Sequence, residues 1–141
     1  MSTPAGGLFV PGVLINNVVR YVLDQDRSVA FWTGPMGFEI RKDAEVTPGS
    51  RWVEVAPGGR ETGIALLSAA DYDAEPHPGD AGFTLVVPDL LEWHSRVAGA
   101  GVTVSDPADA GAGLYATFTC VDGYQHVVSQ LAAAEGPPGT A

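Results

Sequence analysis

The sequence predicts an α+β fold built from two βαβββ modules in tandem. Three observations carry this. Stretches rich in β-branched and aromatic residues alternate with two short helical runs, in the order strand, helix, strand, strand, strand, and that order occurs twice. The segments VVRYVLDQDRSVAFWTGPMGFEI and FTLVVPDLLEWHSRVAGAGVTV run in parallel: each is a strand, a short acidic turn, a helix, a glycine stop and a strand. The chain has 141 residues, 45% of them apolar, enough for one domain or two small modules sharing a core.

In the first module, residues 13–68, VLINNVVRYVL reads as the opening strand. Alternation puts Asn17, Val19 and Tyr21 on one face and Val18, Arg20 and Val22 on the other. A helix near 26–34 follows, capped at Asp26, with Val29, Phe31 and Trp32 as its apolar stripe. Gly34-Pro35 ends it, because proline disfavours a helical conformation in the residue before it. Gly34 to Gly37 is then a helix-to-strand corner. GFEIRKD, residues 50–56 and ETGIALLS are three further strands, with Pro57 to Arg60 as a hairpin turn.

An acidic, proline-rich linker at 69–81 leads to the second module, residues 82–131; residues 1–12 and 132–141 are tails. GFTLVVPD opens the second module as a strand. Asp89 and Glu92 make a capping box for a helix near 89–99, with Leu90, Trp93 and Val97 at helical spacing. GAGVTV enters a strand, and LYATFTC and YQHVVSQL are two more, joined by the VDG turn.

Composition excludes several classes. Seventeen acids against seven bases give a net charge of −10, which repels nucleic-acid backbones. That charge serves solubility, and it would also steer a cationic ligand. No apolar run reaches the length of a membrane span. MSTPAGGLFVPGV has no basic segment followed by a sustained apolar one, so cytoplasmic residence is expected. The single cysteine, Cys120, excludes an internal disulfide and a cysteine-cluster zinc site, and reads as a buried strand residue. Asp71-x-Asp73-x-Glu75 looks like the start of a calcium loop. Pro76 stands where that loop needs glycine, and Gly82 where it needs a bidentate glutamate. GAGLYA matches a dinucleotide-binding spacing, but DPADA precedes it and a strand follows, so it is a loop. His77 is expected in solvent, and His94 on the polar side of the second helix.

The paired layout, D-x-D-R-S-x-A-F-W-x-x-x-M-G-F-E, RW-x-x-V at 51–55 and F-x-x-x-DG at 118–123 together resemble the vicinal oxygen chelate superfamily. Its members include glyoxalase I, extradiol dioxygenases and bleomycin-resistance proteins. The resemblance covers roughly residues 13–131 and implies two modules whose sheets form an open, curled mixed sheet around a cleft. It also implies a homodimer. Metal-dependent members carry one His, Gln or Glu ligand on each of four cleft-facing strands. Those positions fall here on Asn17, Ala65, Gly82 and Val127. Asn17 offers a weak amide oxygen and the others no donor, so no metal and no cofactor are expected. A one-residue shift in register would bring in His126, which otherwise reads as a buried or edge-strand histidine.

Trp52 and Glu54 share one face of the third strand. If that face lines the cleft, an indole and a carboxylate look into it with Tyr21 and Asn17. The alternative is that Trp52 is core and Glu54 a rim charge. The expected function is binding of a small cationic or aromatic compound such as an antibiotic. The candidate ligand-binding residues are Asn17, Tyr21, Trp52, Glu54, Ala65, Gly82 and Val127. A lyase, isomerase or dioxygenase of the same fold is the alternative, with Glu54, Tyr21 and His126 as its candidate acid–base groups. A scaffold with no small ligand is the third reading.

Overall fold

The computed structural model describes residues 12–130 apart from residues 60, 78, 110 and 112. Almost all of both expected tails, and Arg60 of the expected hairpin turn, lie outside these residues.

The first module runs β1 (Asn17–Val22), α1 (Gln25–Thr33), β2 (Glu39–Thr47), β3 (Ser50–Ala56) and β4 (Gly63–Ser68). Its strands form sheet A in the order β1-β4-β3-β2. Strands β1 and β4 pair in parallel, and β2, β3 and β4 pair antiparallel in turn. Parallel partners need a long crossover, here made of α1 and the β2–β3 hairpin. A 3-10 turn, Ala70–Tyr72, leads out of β4. The second module repeats the pattern with β5 (Gly79–Val87), α2 (Leu90–Gly99), β6 (Ala108–Asp109), β7 (Leu114–Thr119) and β8 (Tyr124–Gln130). Sheet B has the order β5-β8-β7-β6, with β5 and β8 parallel. Among the described residues two four-stranded mixed sheets and two helices thus make up the α+β fold, and the sheets close no barrel.

Local chemistry accounts for the helix limits. The cap of α1 is Asp24, not Asp26: its carboxylate accepts from the Arg27 N–H at 3.1 Å. Asp26 lies in the first turn, where its charge suits the positive helix end, and pairs with Arg51 at 2.6 Å. Asp89 caps α2 as expected, accepting from the Glu92 N–H at 3.1 Å. The Gly34 to Gly37 corner also forms. Gly37 has φ +73, and a Cβ on Gly34 would stand 2.8 Å from the Ala30 carbonyl oxygen. Strand β1 is shorter than expected, since residues 13–16 precede the ladder. GAGVTV does not become a strand: it keeps only an isolated bridge from Val104 to Phe118. Three glycine and alanine residues there offer little side chain to pack on a sheet.

One core joins the modules. Val22, Val55, Ile64 and Leu66 of sheet A cluster with Ala116, Phe118, Tyr124 and Val128 of sheet B, and with Trp32, Leu90, Trp93 and Val97 of the helices. Trp32 is the hub: it meets Phe38, Phe118 and His126 at ring separations of 4.9, 6.3 and 5.3 Å. Polar groups cross the same boundary. The buried Ser28 hydroxyl of α1 lies 2.8 and 2.7 Å from the two oxygens of Asp122, in the β7–β8 turn. Arg20 rests between Phe83 and Tyr124, with its guanidinium 5.1 Å from each ring centroid. Cys120 is buried, and burial pushes its thiol up. Among the described residues no helix is long and apolar enough to cross a membrane.

Candidate functional site

The core takes the helix-facing side of each sheet, which leaves the opposite side of sheet A to carry the site. Strand parity and register assemble it. Val19 and Glu54 both pair with Ala65, so the three form a row across β1, β4 and β3. Asn17 pairs with Gly63 at one end of that row, and Tyr21 with Leu67 at the other. Trp52 stands two residues from Glu54 on the same face of β3.

Glu54 is the electrostatic centre. Its Oε2 accepts the Trp52 indole N–H at 2.7 Å. Its Oε1 accepts Arg41 Nε at 3.2 Å and Nη2 at 2.9 Å. Arg41 reaches it because the β2–β3 ladder shifts register between Ile40 and Lys42. The same guanidinium also donates to the Asn16 and Glu61 carbonyls, tying the starts of β1 and β4 to β3. Gly63 leaves room for it: a Cβ there would lie 2.6 Å from Arg41 Nη2 and 2.7 Å from the Val55 carbonyl oxygen. Burial pushes the Glu54 carboxyl up, but the Trp52 N–H, the Arg41 guanidinium and the Asn17 amide together outweigh it, so it ends below the usual range. Glu54 therefore stays ionised with its charge met inside the protein. Its observed effect is to fix the indole.

The indole itself is half-buried, with Lys42 Nζ 6.0 Å from its ring centroid. Tyr21 meets Tyr72 of the 3-10 turn at 5.9 Å with planes tilted by 51°. Sequence reasoning missed Arg41 and Tyr72. A cation across the β2–β3 hairpin from Glu54 was a signal for the first, but the hairpin offers two, Arg41 and Lys42: the ladder pairs Lys42 with Glu54, and the bulge inserts Arg41 beside it as the extra residue whose guanidinium meets the carboxylate. Tyr72 lay in a stretch read as linker.

Gly82 and Val127 belong to sheet B. Val127 is flanked by Thr84 and Thr117 and is 39% exposed. Gly82 sits in a bulge of β5 with φ +79, its N–H held by Asp80 Oδ1 at 2.9 Å. Among the described residues no hydrogen bond, ion pair or aromatic contact joins these two to Trp52, Glu54 or Asn17. His126 alternates with Val127 and points into the core, 1% exposed. It stacks on Phe118 at 4.9 Å and 12°, and burial, with the Arg20 charge, lowers its pKa to about 4. Glu54 and His126 therefore occupy opposite sides of the two sheets, and the acid–base set of Glu54, Tyr21 and His126 is not assembled within the chain. Among the described residues no three of His, Cys, Asp and Glu gather closely enough to hold a metal ion.

Comparison with known proteins bears on this arrangement. Over 56 residues the chain is 41% identical to the uncharacterized protein YetH of Bacillus subtilis (strain 168), a match spanning 40% of this chain and 47% of that protein, about half its length. Its fold is similar to a member of the glyoxalase/bleomycin resistance protein/dioxygenase superfamily from Sphaerobacter thermophilus DSM 20745, with TM-score 0.76 and 25% identity over 84% of this chain and 97% of that one. It is also similar to TnmS3, an antibiotic binding protein from Streptomyces sp. CB03234, with TM-score 0.74 and 24% identity over 86% of this chain and 98% of that one. The superfamily's sequence pattern itself matches residues 14–129. With the repeated βαβββ unit and the sheet order agreeing, the chain belongs to the Glyoxalase/Bleomycin resistance protein/Dioxygenase superfamily.

Proposed function

We propose that the chain binds a small, flat, largely apolar organic molecule, an antibiotic among the candidates, on the outer face of sheet A and without a metal. The carrying observation is the Trp52 indole, fixed by a carboxylate that is itself neutralised by Arg41. A held, half-exposed ring loses little freedom when a second ring stacks on it. Asn17 and Tyr21 flank the same face, and Ala65 lies fully buried beneath it. Lack of donors at Ala65, Gly82 and Val127 supports the metal-free reading. The similarity to TnmS3 supports only that this fold can hold such a molecule.

Gly82 and Val127 enter the site through a second copy. Both sheets turn one face to the shared core, and on the other face of sheet A the side chains of Asn17, Tyr21 and Trp52 stay partly exposed; the outer face of sheet B of a partner covers them in a homodimer.

A thermal-shift screen of planar organic compounds, followed by calorimetric titration, tests the proposal. A hit should lose about tenfold or more in affinity in Trp52→Ala, since a stacked ring is worth on the order of 1 kcal/mol or more. Stoichiometric zinc, nickel, manganese or iron in protein purified without chelator would overturn it in favour of a metal-dependent lyase, isomerase or dioxygenase. Light scattering showing a monomer at micromolar concentration would remove the second-copy part.

A further inference from the structure

The outer face of sheet A continues past the row of Tyr21, Leu67 and Trp52. Beyond it opens a recess of about 400 Å3, with Val46 and Ser50 of the β2–β3 hairpin on one side and Asp71 and Tyr72 of the 3-10 turn on the other. The turn is fastened to sheet A. The Ala69 N–H donates to the Val22 carbonyl at 2.9 Å, and the Ala74 N–H to the Ala69 carbonyl at 2.9 Å. Asp73 closes it in the left-handed region, at φ +50. Tyr72 is 41% exposed and shares its buried side with Tyr21. This recess therefore adjoins the indole on the same face, about 10 Å, or two strand spacings, separating Tyr21 from Trp52.

The charges divide between the two ends. Near Trp52, Glu54 is already matched by Arg41, and Lys42 lies over the indole. Nothing there is left for a cation. In the recess, Asp71 is exposed and makes no ion pair among the described residues. An unmatched carboxylate beside an aromatic ring favours a protonated amine, through a charge-assisted hydrogen bond and a cation–π contact.

The geometry points to the recess between Asp71, Tyr72 and the β2–β3 hairpin as a subsite for a protonated amine, so that the ligand carries a flat body for Trp52 and a basic arm for Tyr72. This rests on the proposed binding role of the outer face, and it places selection for positive charge at Asp71, the Glu54 carboxylate being already paired with Arg41.

The probes are dansylcadaverine, a naphthalene body with a primary amine on a flexible arm, and its N-acetyl derivative, which has the same body and arm without the charge. Both are titrated by fluorescence at neutral pH against the full chain. The amine should bind more tightly than the acetylated form. Asp71→Asn should weaken the amine by about tenfold and leave the acetylated form within about twofold. Tyr72→Ala should likewise reduce the preference, and Tyr72→Phe should restore it. Asp106→Asn, an equal charge change elsewhere on the surface, should leave both unchanged. If Asp71→Asn has no effect, or only the effect of Asp106→Asn, while Trp52→Ala still weakens binding of the acetylated probe by about tenfold or more, the subsite is wrong and the binding face stands. If neither probe binds, or both bind to Trp52→Ala as to the parent, the face and the subsite fall together.

Discussion

The Trp52 indole N–H stands 2.7 Å from Glu54 Oε2, while Arg41 occupies the other oxygen of the same carboxylate. The three side chains come from two neighbouring strands and form one unit: a cation, a buried anion and an oriented ring. Changing the middle member should therefore be felt at both ends.

Glu54→Gln keeps the shape but leaves the Arg41 charge short of its partner. The expected loss is about 1–3 kcal/mol, read as a lower urea midpoint with an unchanged slope. The Glu54 carboxyl is held below its ordinary value in the folded chain. Its stabilising contribution is then present above the unfolded pKa and lost as pH falls through the folded one. The acid limb of the stability curve should be shallower in Glu54→Gln than in the parent. An unchanged midpoint and an unchanged limb would show that the unit is not coupled.

Gly63→Ala should disrupt the same unit from a different strand. The new Cβ meets Arg41 Nη2 at 2.6 Å and, less avoidably, the Val55 carbonyl oxygen at 2.7 Å. About 1–3 kcal/mol of destabilisation is expected, the usual range for forcing extra volume into a packed site. Gly58→Ala is the control, since among the described residues its Cβ would meet the Glu61 side chain alone, at 3.9 Å. Equal urea midpoints for the two variants would refute the steric argument.

His126 should titrate far below an ordinary histidine. Burial and Arg20 lower it from 6.5 to about 4. The unfolded chain then binds an extra proton between those values, so stability falls as pH drops from about 6.5 to 4. The ring-proton NMR shift should show a midpoint near 4, and His126→Phe should lose that part of the pH dependence while keeping the stack on Phe118. A midpoint near 6.5 would place the ring in solvent.

Ser28→Ala should loosen the seam between the modules. It removes the hydroxyl that bonds Asp122, whose carboxyl is pushed up by burial even with that bond present. A loss of about 1–3 kcal/mol is expected at neutral pH. Because the folded Asp122 pKa is raised, the folded state binds the extra proton, and part of the loss should be recovered as pH falls into the carboxylate range. A double-mutant cycle with Asp122→Asn checks that the two positions are coupled.

Much of the architecture is legible in the chain. The repeat, the acidic turns before each helix and the Gly-Pro corner are local signals, and each acts through backbone sterics or capping that needs no distant partner. Asp89 is an example: its carboxylate caps the helix it precedes. The placement of Trp52 and Glu54 on one face of β3 also follows from strand alternation alone, whereas bringing Asn17 of β1 to that face takes the pairing of both strands with β4. Where local signals compete, sequence chooses poorly. Asp24 and Asp26 are both acidic and two residues apart, and only the backbone path decides that Asp24 caps while Asp26 reaches Arg51.

Sequence by itself determined the two βαβββ modules and the parity of their strands, because hydrophobic period, caps and glycine turns are encoded within a few residues. Tertiary structure decided which charges are left free to act. A bulge in β2 gives Glu54 its partner in Arg41, the sharing of one core by both sheets sends His126 inward, and the exit from β4 brings Tyr72 onto Tyr21. Each of these depends on groups far apart in the chain meeting at hydrogen-bonding or van der Waals distance, and alternation or propensity carries no information about such meetings.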